Sequence, residues 1–225
     1  MGQAGVGSGF WRSAELDETM QQDNSCAWAP MARVAGSSLP GATVADLGCS
    51  EGGFLRFLYD HHGIEQGFGL DLAEAAIAQA RIRNQDRPLE YLAAPLPAPS
   101  WPEADLCFSH ELIYILPDLY EHAEIIRRLL RPGGTYLAVT SVHSESPAKR
   151  RWHSENAESL RLPPLRSVED YVAPFLDLRF SVEIGLLPVE SVSIHDRHRG
   201  VVWNRLHAWA HEKVVFRFRR AGNES

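Results

Sequence analysis

The stretch VADLGCSEGGF runs from Val44 to Phe54. Thr43 to Leu47 is an apolar run of strand length interrupted by one acid, Asp46. Gly48, Ser50, Gly52 and Gly53 follow, and apolar residues return at Phe54 and Leu55. This order predicts a buried strand, a tight glycine turn and a helix. The bare backbone of the turn and the free N–H groups of the helix N-terminus are then open to a ligand. A carboxylate ending a buried strand is costly unless something pairs with it. A turn built to seat a pyrophosphate would want an apolar residue in place of Asp46, because the acid repels phosphate. Asp46 suits a ligand with a cationic end; the alternative is that it caps the turn.

Outward from this stretch, strands and helices alternate. GGFLRFLYDHH (52–62) spaces Phe54, Leu55 and Leu58 as a helix does, and EQGFGLDL (65–72) reads as a strand ending in Asp71. AEAAIAQARIRNQ (73–85) is rich in strong helix formers. LEYLAA (89–94) and ADLCFSH (104–110) are further strands, separated by a segment holding Pro95, Pro97, Pro99 and Pro102 that no helix tolerates. DLYEHAEIIRRLLRP (118–132) is an amphipathic helix stopped by Pro132-Gly133-Gly134, and TYLAVTSV (135–142) is a fifth strand. Short links between alternating elements mean a parallel sheet with crossover helices. SVEDYVAPFLDL (167–178) opens with a helix-start pair, Ser167 and Asp170. RFSVEIGLL (179–187) and EKVVFRFRR (212–220) read as two last strands. The expected fold is therefore α/β: a doubly wound, seven-stranded, mostly parallel sheet with an antiparallel edge hairpin. Residues 1–38 read as an N-terminal helical arm or lid with aromatic anchors Phe10, Trp11 and Trp28. Residues 39–225 read as a single domain with a lid-like loop at 143–166.

Composition limits the function. The chain has 225 residues, 44% hydrophobic and 23% charged, which suits one globular domain able to bury about 70% of its unfolded surface. Cys26, Cys49 and Cys107 are too few and too scattered for a disulfide framework or a zinc site. The start, MGQAGVGSGFW, has no signal-peptide pattern and no run of 18 apolar residues occurs, so a cytoplasmic protein without membrane partners is expected. A net charge of −7 disfavours a nucleic-acid partner, which wants a basic face.

In open doubly wound sheets, ligands bind outside the carboxyl ends of the strands. Asp71 lies there, 23 residues after Gly48. It is placed to accept both hydroxyls of a ribose, or to cap the helix that follows. DLGCSEGG with Asp71 downstream, then ADLCFSHELIYIL and LLRPGGTYLAVTS, resembles the class I S-adenosylmethionine-dependent methyltransferases over about residues 40–142. The resemblance implies a Rossmann-like fold, S-adenosylmethionine as cofactor and S-adenosylhomocysteine as product. It places Asp46 and Gly48 at the methionine end of the cofactor, with Ser50 and Gly52 completing the turn. Asp71 falls at the ribose, Leu72 beside the adenine, and Ser109 and His110 near the sulfonium. Ser50 stands where the family motif has its middle glycine. After the third strand the family often has an adenine-binding acid; here the chain reads AAPLP, leaving Ala94 to act through its backbone.

The implied reaction is methyl transfer to a small-molecule amine or hydroxyl. Enzymes of this kind mainly align nucleophile, methyl and sulfur. A base to take the acceptor's proton is expected among His110, Glu111, Tyr114 and His143, with His110, Tyr114 and His143 as the catalytic candidates. Packing is the other reading of Tyr114, and a solvated loop that of His143. His195/His198 and His207/His211 have helix-face spacing, but nothing completes a metal site and none is expected. AKRRWH (148–153) reads as a solvated basic loop, or else as part of a lid that meets an anionic substrate, and Trp152 within it covers something. Two other functions fit the same pattern: a nicotinamide-dependent oxidoreductase, against which Asp46 counts, and a non-catalytic S-adenosylmethionine binder.

Overall fold

The computed structural model describes residues 24–96, 101–192, 194 and 198–222. Phe10, Trp11, Pro97, Pro99 and His195 lie outside the described residues. Seven strands form one sheet in the order β3-β2-β1-β4-β5-β7-β6. These are β1 Thr43–Leu47, β2 Gln66–Asp71, β3 Leu89–Ala93, β4 Ala104–His110, β5 Leu130–Thr140, β6 Ser181–Leu186 and β7 Val214–Arg219. Strands β1 to β5 are parallel, and β7 runs antiparallel between β5 and β6. Strand order reverses between β1 and β4, so a crevice opens at their carboxyl ends. Strand β1 is buried along its whole length, as its near-continuous apolar run requires in a sheet covered on both faces.

Helices α1 (Trp28–Ala35), α2 (Gly53–His62) and α3 (Glu74–Asn84) lie against one apolar layer that holds Met31, Leu55, Leu58, Ile77 and Phe108. The described part of the N-terminal arm is thus built into the core through Ala27, Met31 and Ala32. Helix α4 (Leu119–Leu129) packs on the other layer, with Ala123, Ile126, Tyr136 and Phe216. Helix α6 (Val168–Asp177) joins it there, and Phe175 stacks on Phe218 with ring centroids 3.7 Å apart. Each such fully buried side chain contributes roughly 1.5–3 kcal/mol. Ser167 and Asp170 form the reciprocal cap that their spacing predicts.

Two expectations are corrected. The 143–166 segment is not a loop: it contains the 14-residue helix α5 (Pro147–Leu160). Ser146 caps it, accepting from Lys149 N, and Pro147 supplies the first turn. No residue of this helix is fully buried, so its sequence carries no apolar stripe to betray it. The edge strands β6 and β7 do pair antiparallel, but no tight turn joins them. Helix α7 (Val202–His211) lies in the connection and brings Trp209 and Lys213 over the strand ends.

Candidate cofactor and acceptor cavity

A cavity of about 900 Å³ opens at the carboxyl ends of β1, β2 and β4, partly roofed by residues of α5 and α7. That is near the upper end of small-molecule sites, roughly 300–1,000 Å³. It is lined by Asp46, Gly48, Ser50, Asp71, Leu72, Ala94 and His110 from the expected cofactor set, and by Tyr114 and Glu111 from the expected base candidates.

The turn after β1 is tied to β2. Gly48 N and Cys49 N both donate to Leu70 O, at 2.8 and 3.1 Å. Ser50 N donates to Asp71 Oδ2 at 2.9 Å, while Ala73 N donates to Oδ1 at 2.9 Å. Asp71 therefore serves the local turn and still offers lone pairs on both oxygens to the cavity. Ser50 holds φ at 48°, a conformation glycine takes more cheaply, and its buried Oγ has no partner among the described residues. Gly52, expected at the cofactor, does not line the cavity. Its φ is 70°, and a Cβ there would sit 2.3 Å from the Tyr91 ring, so packing against Tyr91 demands the glycine.

Asp46 is only 5% exposed. Its carboxylate accepts no hydrogen bond among the described residues, so it does not cap the turn. Burial, reinforced by the nearby Asp71 charge, raises its pKa from 3.8 to about 7. A buried, poorly compensated carboxylate facing a cavity is a seat for a cation.

Two further expectations are corrected by position. Ser109 is fully buried and bonds Tyr136 OH at 2.6 Å, away from the cavity. His143 is also outside it, held by Glu145 at 3.2 Å and by Glu212 O at 3.0 Å. His110 lines the cavity, but its Nε2 accepts from Lys213 Nζ at 2.6 Å. Burial and that ammonium lower its pKa to about 3, which leaves a neutral imidazole with its lone pair engaged. Tyr114 faces the cavity and packs edge-on to Trp152; burial raises its phenol further above the usual range.

Sequence reasoning missed Lys213. Its ammonium is 2.8 Å from Glu111 and 3.8 Å from the Trp209 ring centre. Glu111 also accepts from Thr140 Oγ1 and Ser141 Oγ, each at 2.9 Å. Burial raises the Glu111 pKa, but Lys213, Lys149 and His110 outweigh it, so the carboxyl sits well below the usual range and stays ionised. Burial pulls the Lys213 ammonium down while Glu111 holds it up. The only signal in the sequence was the rarity of lysine. Among the described residues no cluster of three or more His, Cys, Asp or Glu side chains is placed to hold a metal ion. No described helix is long and apolar enough to cross a membrane.

The cavity's groups fit S-adenosylmethionine. Asp46 could answer an ammonium, Asp71 a ribose diol, and Leu72, 59% exposed at the rim, could offer an apolar face to a purine. Ser50 Oγ is an orphaned donor in the same place. Residues 45–138 match the family described as "Methyltransferase domain". A curated relative, trans-aconitate 2-methyltransferase of Variovorax paradoxus, is 28% identical over 131 residues. The match takes in 57% of this chain and 49% of the relative, so the chain spans about half the length of the relative it matches. Two solved structures share the fold. One is a chain from the complex of the Haloferax volcanii Trm112 methyltransferase activator with a methyltransferase: TM-score 0.78, 23% identity, 94% of this chain and 96% of that one. The other is the N-methyltransferase NodS of Bradyrhizobium japonicum bound to S-adenosylhomocysteine: TM-score 0.64, 18% identity, 92% and 93%. Residues 45–138 thus match a methyltransferase domain, and the chain shares its fold with S-adenosylmethionine-dependent methyltransferases.

Proposed function

We propose that this chain transfers a methyl group from S-adenosylmethionine to a small-molecule acceptor. The observation that carries the proposal is the pair of acids in one cavity: Asp46, buried at the end of β1 with no hydrogen-bond partner among the described residues, and Asp71 at the end of β2. When bound, the cofactor supplies an electrophilic methyl on a sulfonium. The chain's own residues bind and orient. Asp46 takes the ammonium of the methionine end. Asp71 takes the ribose hydroxyls, held in place by the N–H groups of Ser50 and Ala73. Trp152 and Trp209 border the acceptor end and keep water away. Holding the two reactants in line supplies several kcal/mol of the barrier reduction.

The matched relative's name, trans-aconitate 2-methyltransferase, favours a small acceptor. The amine or hydroxyl acceptor expected from the sequence would need its proton removed, and His110 is already engaged by Lys213. Titration calorimetry with S-adenosylhomocysteine and with NADH tests the reading. Binding of S-adenosylhomocysteine alone is the expected result. Tight NADH binding without S-adenosylhomocysteine binding would overturn the reading in favour of an oxidoreductase.

A further inference from the structure

Of the chain's 22 lysine and arginine residues only two are lysines, Lys149 and Lys213, and both line the cavity. Lys213 is committed to Glu111 and His110. Lys149 is not. It lies on the inward face of α5 with Trp152, three residues on, while its neighbours turn outward. Arg150 donates to Ser144 O at 2.7 Å, and Arg151 pairs with Glu155 at 2.8 Å. The Lys149 ammonium sits 5.5 Å from the Trp152 ring centre and pairs with no carboxylate among the described residues.

Five acids line the cavity, Asp46, Asp71, Glu111, Asp118 and Glu121, and none of them pairs with Lys149 among the described residues. Asp46 and Asp71 belong to the cofactor end. Glu111 is neutralised by Lys213 and saturated by Thr140 and Ser141. Asp118 caps α4, accepting from Tyr120 N at 2.8 Å and Glu121 N at 2.9 Å. Lys149 nevertheless lines the same cavity as Glu111 and Lys213. Aromatic side chains wall that part: Tyr114 meets Trp152 edge-on at 6.1 Å, and Trp209 lies under Lys213.

We propose that the acceptor is an organic acid whose carboxylate pairs with Lys149 and whose carbon skeleton lies against Tyr114, Trp152 and Trp209. One ammonium balances one carboxylate; a phosphate dianion would keep an unpaired charge in a half-buried site. The proposal rests on the methyl-transfer reading above and names its acceptor class.

Two lysines make the test simple. Reductive ¹³C-dimethylation keeps the charge on each amine and gives a small set of resonances, assigned with Lys149→Arg. The labelled protein, saturated with S-adenosylhomocysteine, is titrated with aliphatic and aromatic carboxylic acids, each beside the primary amide and the amine of the same skeleton. Acids are expected to shift the Lys149 resonance, and amides and amines are not. Lys149→Gln should weaken the bound acid at least tenfold, Lys149→Arg by less, and both should keep the S-adenosylhomocysteine affinity within twofold. If S-adenosylhomocysteine binds but no acid moves Lys149, the proposal is wrong. It is equally wrong if amide or amine binds as tightly as acid, or if Lys149→Gln changes nothing. Failure to bind S-adenosylhomocysteine at all would show in the same titration as a separate result, and would remove the methyl-transfer reading first.

Discussion

Asp46→Asn should make the free protein more stable and its cofactor complex weaker. Moving a carboxyl pKa from 3.8 to about 7 corresponds to about 4 kcal/mol, the cost of keeping Asp46 ionised above pH 7 without a partner. Asparagine removes the charge but leaves a buried amide short of hydrogen bonds, at roughly 1–3 kcal/mol. The net gain at pH 8 is therefore about 1–3 kcal/mol, or roughly 2–10 °C in Tm for a chain of this size. The sign depends on pH. Between pH 3.8 and 7 the native state holds a proton that the unfolded chain has lost, so wild-type stability falls as pH rises through that window and levels off above it. Asparagine does not titrate. The Tm difference between variant and wild type should thus widen by the equivalent of about 2–3 kcal/mol from pH 5 to pH 8. Calorimetric scans of both proteins at pH 5, 6, 7 and 8 measure it. In parallel, wild-type affinity for S-adenosylhomocysteine should climb through pH 7 as Asp46 ionises, and the variant should bind weakly with a flat profile. A Tm offset that is constant across pH, or a variant that binds as tightly as wild type at pH 8, would refute the role given to Asp46.

Other substitutions probe the same site. Asp71→Ala should cost roughly 1–3 kcal/mol of S-adenosylhomocysteine affinity by calorimetry, since charge-assisted hydrogen bonds to the ribose are lost. Gly52→Ala should destabilise by more than about 2 kcal/mol in urea melts, because the new Cβ meets the Tyr91 ring and φ is 70°. Glu111→Ala strands the buried Lys213 ammonium; a loss of about 3–5 kcal/mol is expected, easing as pH rises and the lysine gives up its proton. Melts at pH 7 and pH 9.5 would show that recovery, and its absence would mean Lys213 is held by something other than Glu111.

Much of the fold was legible because the central parallel strands β1, β2 and β4 are largely buried on both faces and most covering helices bury one. These demands write themselves into VADL, GFGL and DLCF as apolar runs and into EHAEIIRRL as a stripe. Helix α5 was not legible, since none of its residues is fully buried and its caps and i,i+4 pair hold it without an apolar period. Asp46 and Asp71 could be found because their places at strand ends follow from local order alone. Ser109 and His143 sit at strand ends too, yet they turn away from the cavity, and side-chain direction there depends on neighbours rather than spacing.

The sequence by itself determined the sheet, the glycine turn and the two acids at the strand ends that line the cavity, because strand, turn and helix are set by residues adjacent in the chain. Only the tertiary structure decided the other half of the cavity. His110 and Lys213 are 103 positions apart and 2.6 Å apart in space. That contact engages the ring nitrogen of an expected base. Pairing β7 beside β5 buries Lys213 against Glu111 and leaves Lys149 as the charge that remains to be answered.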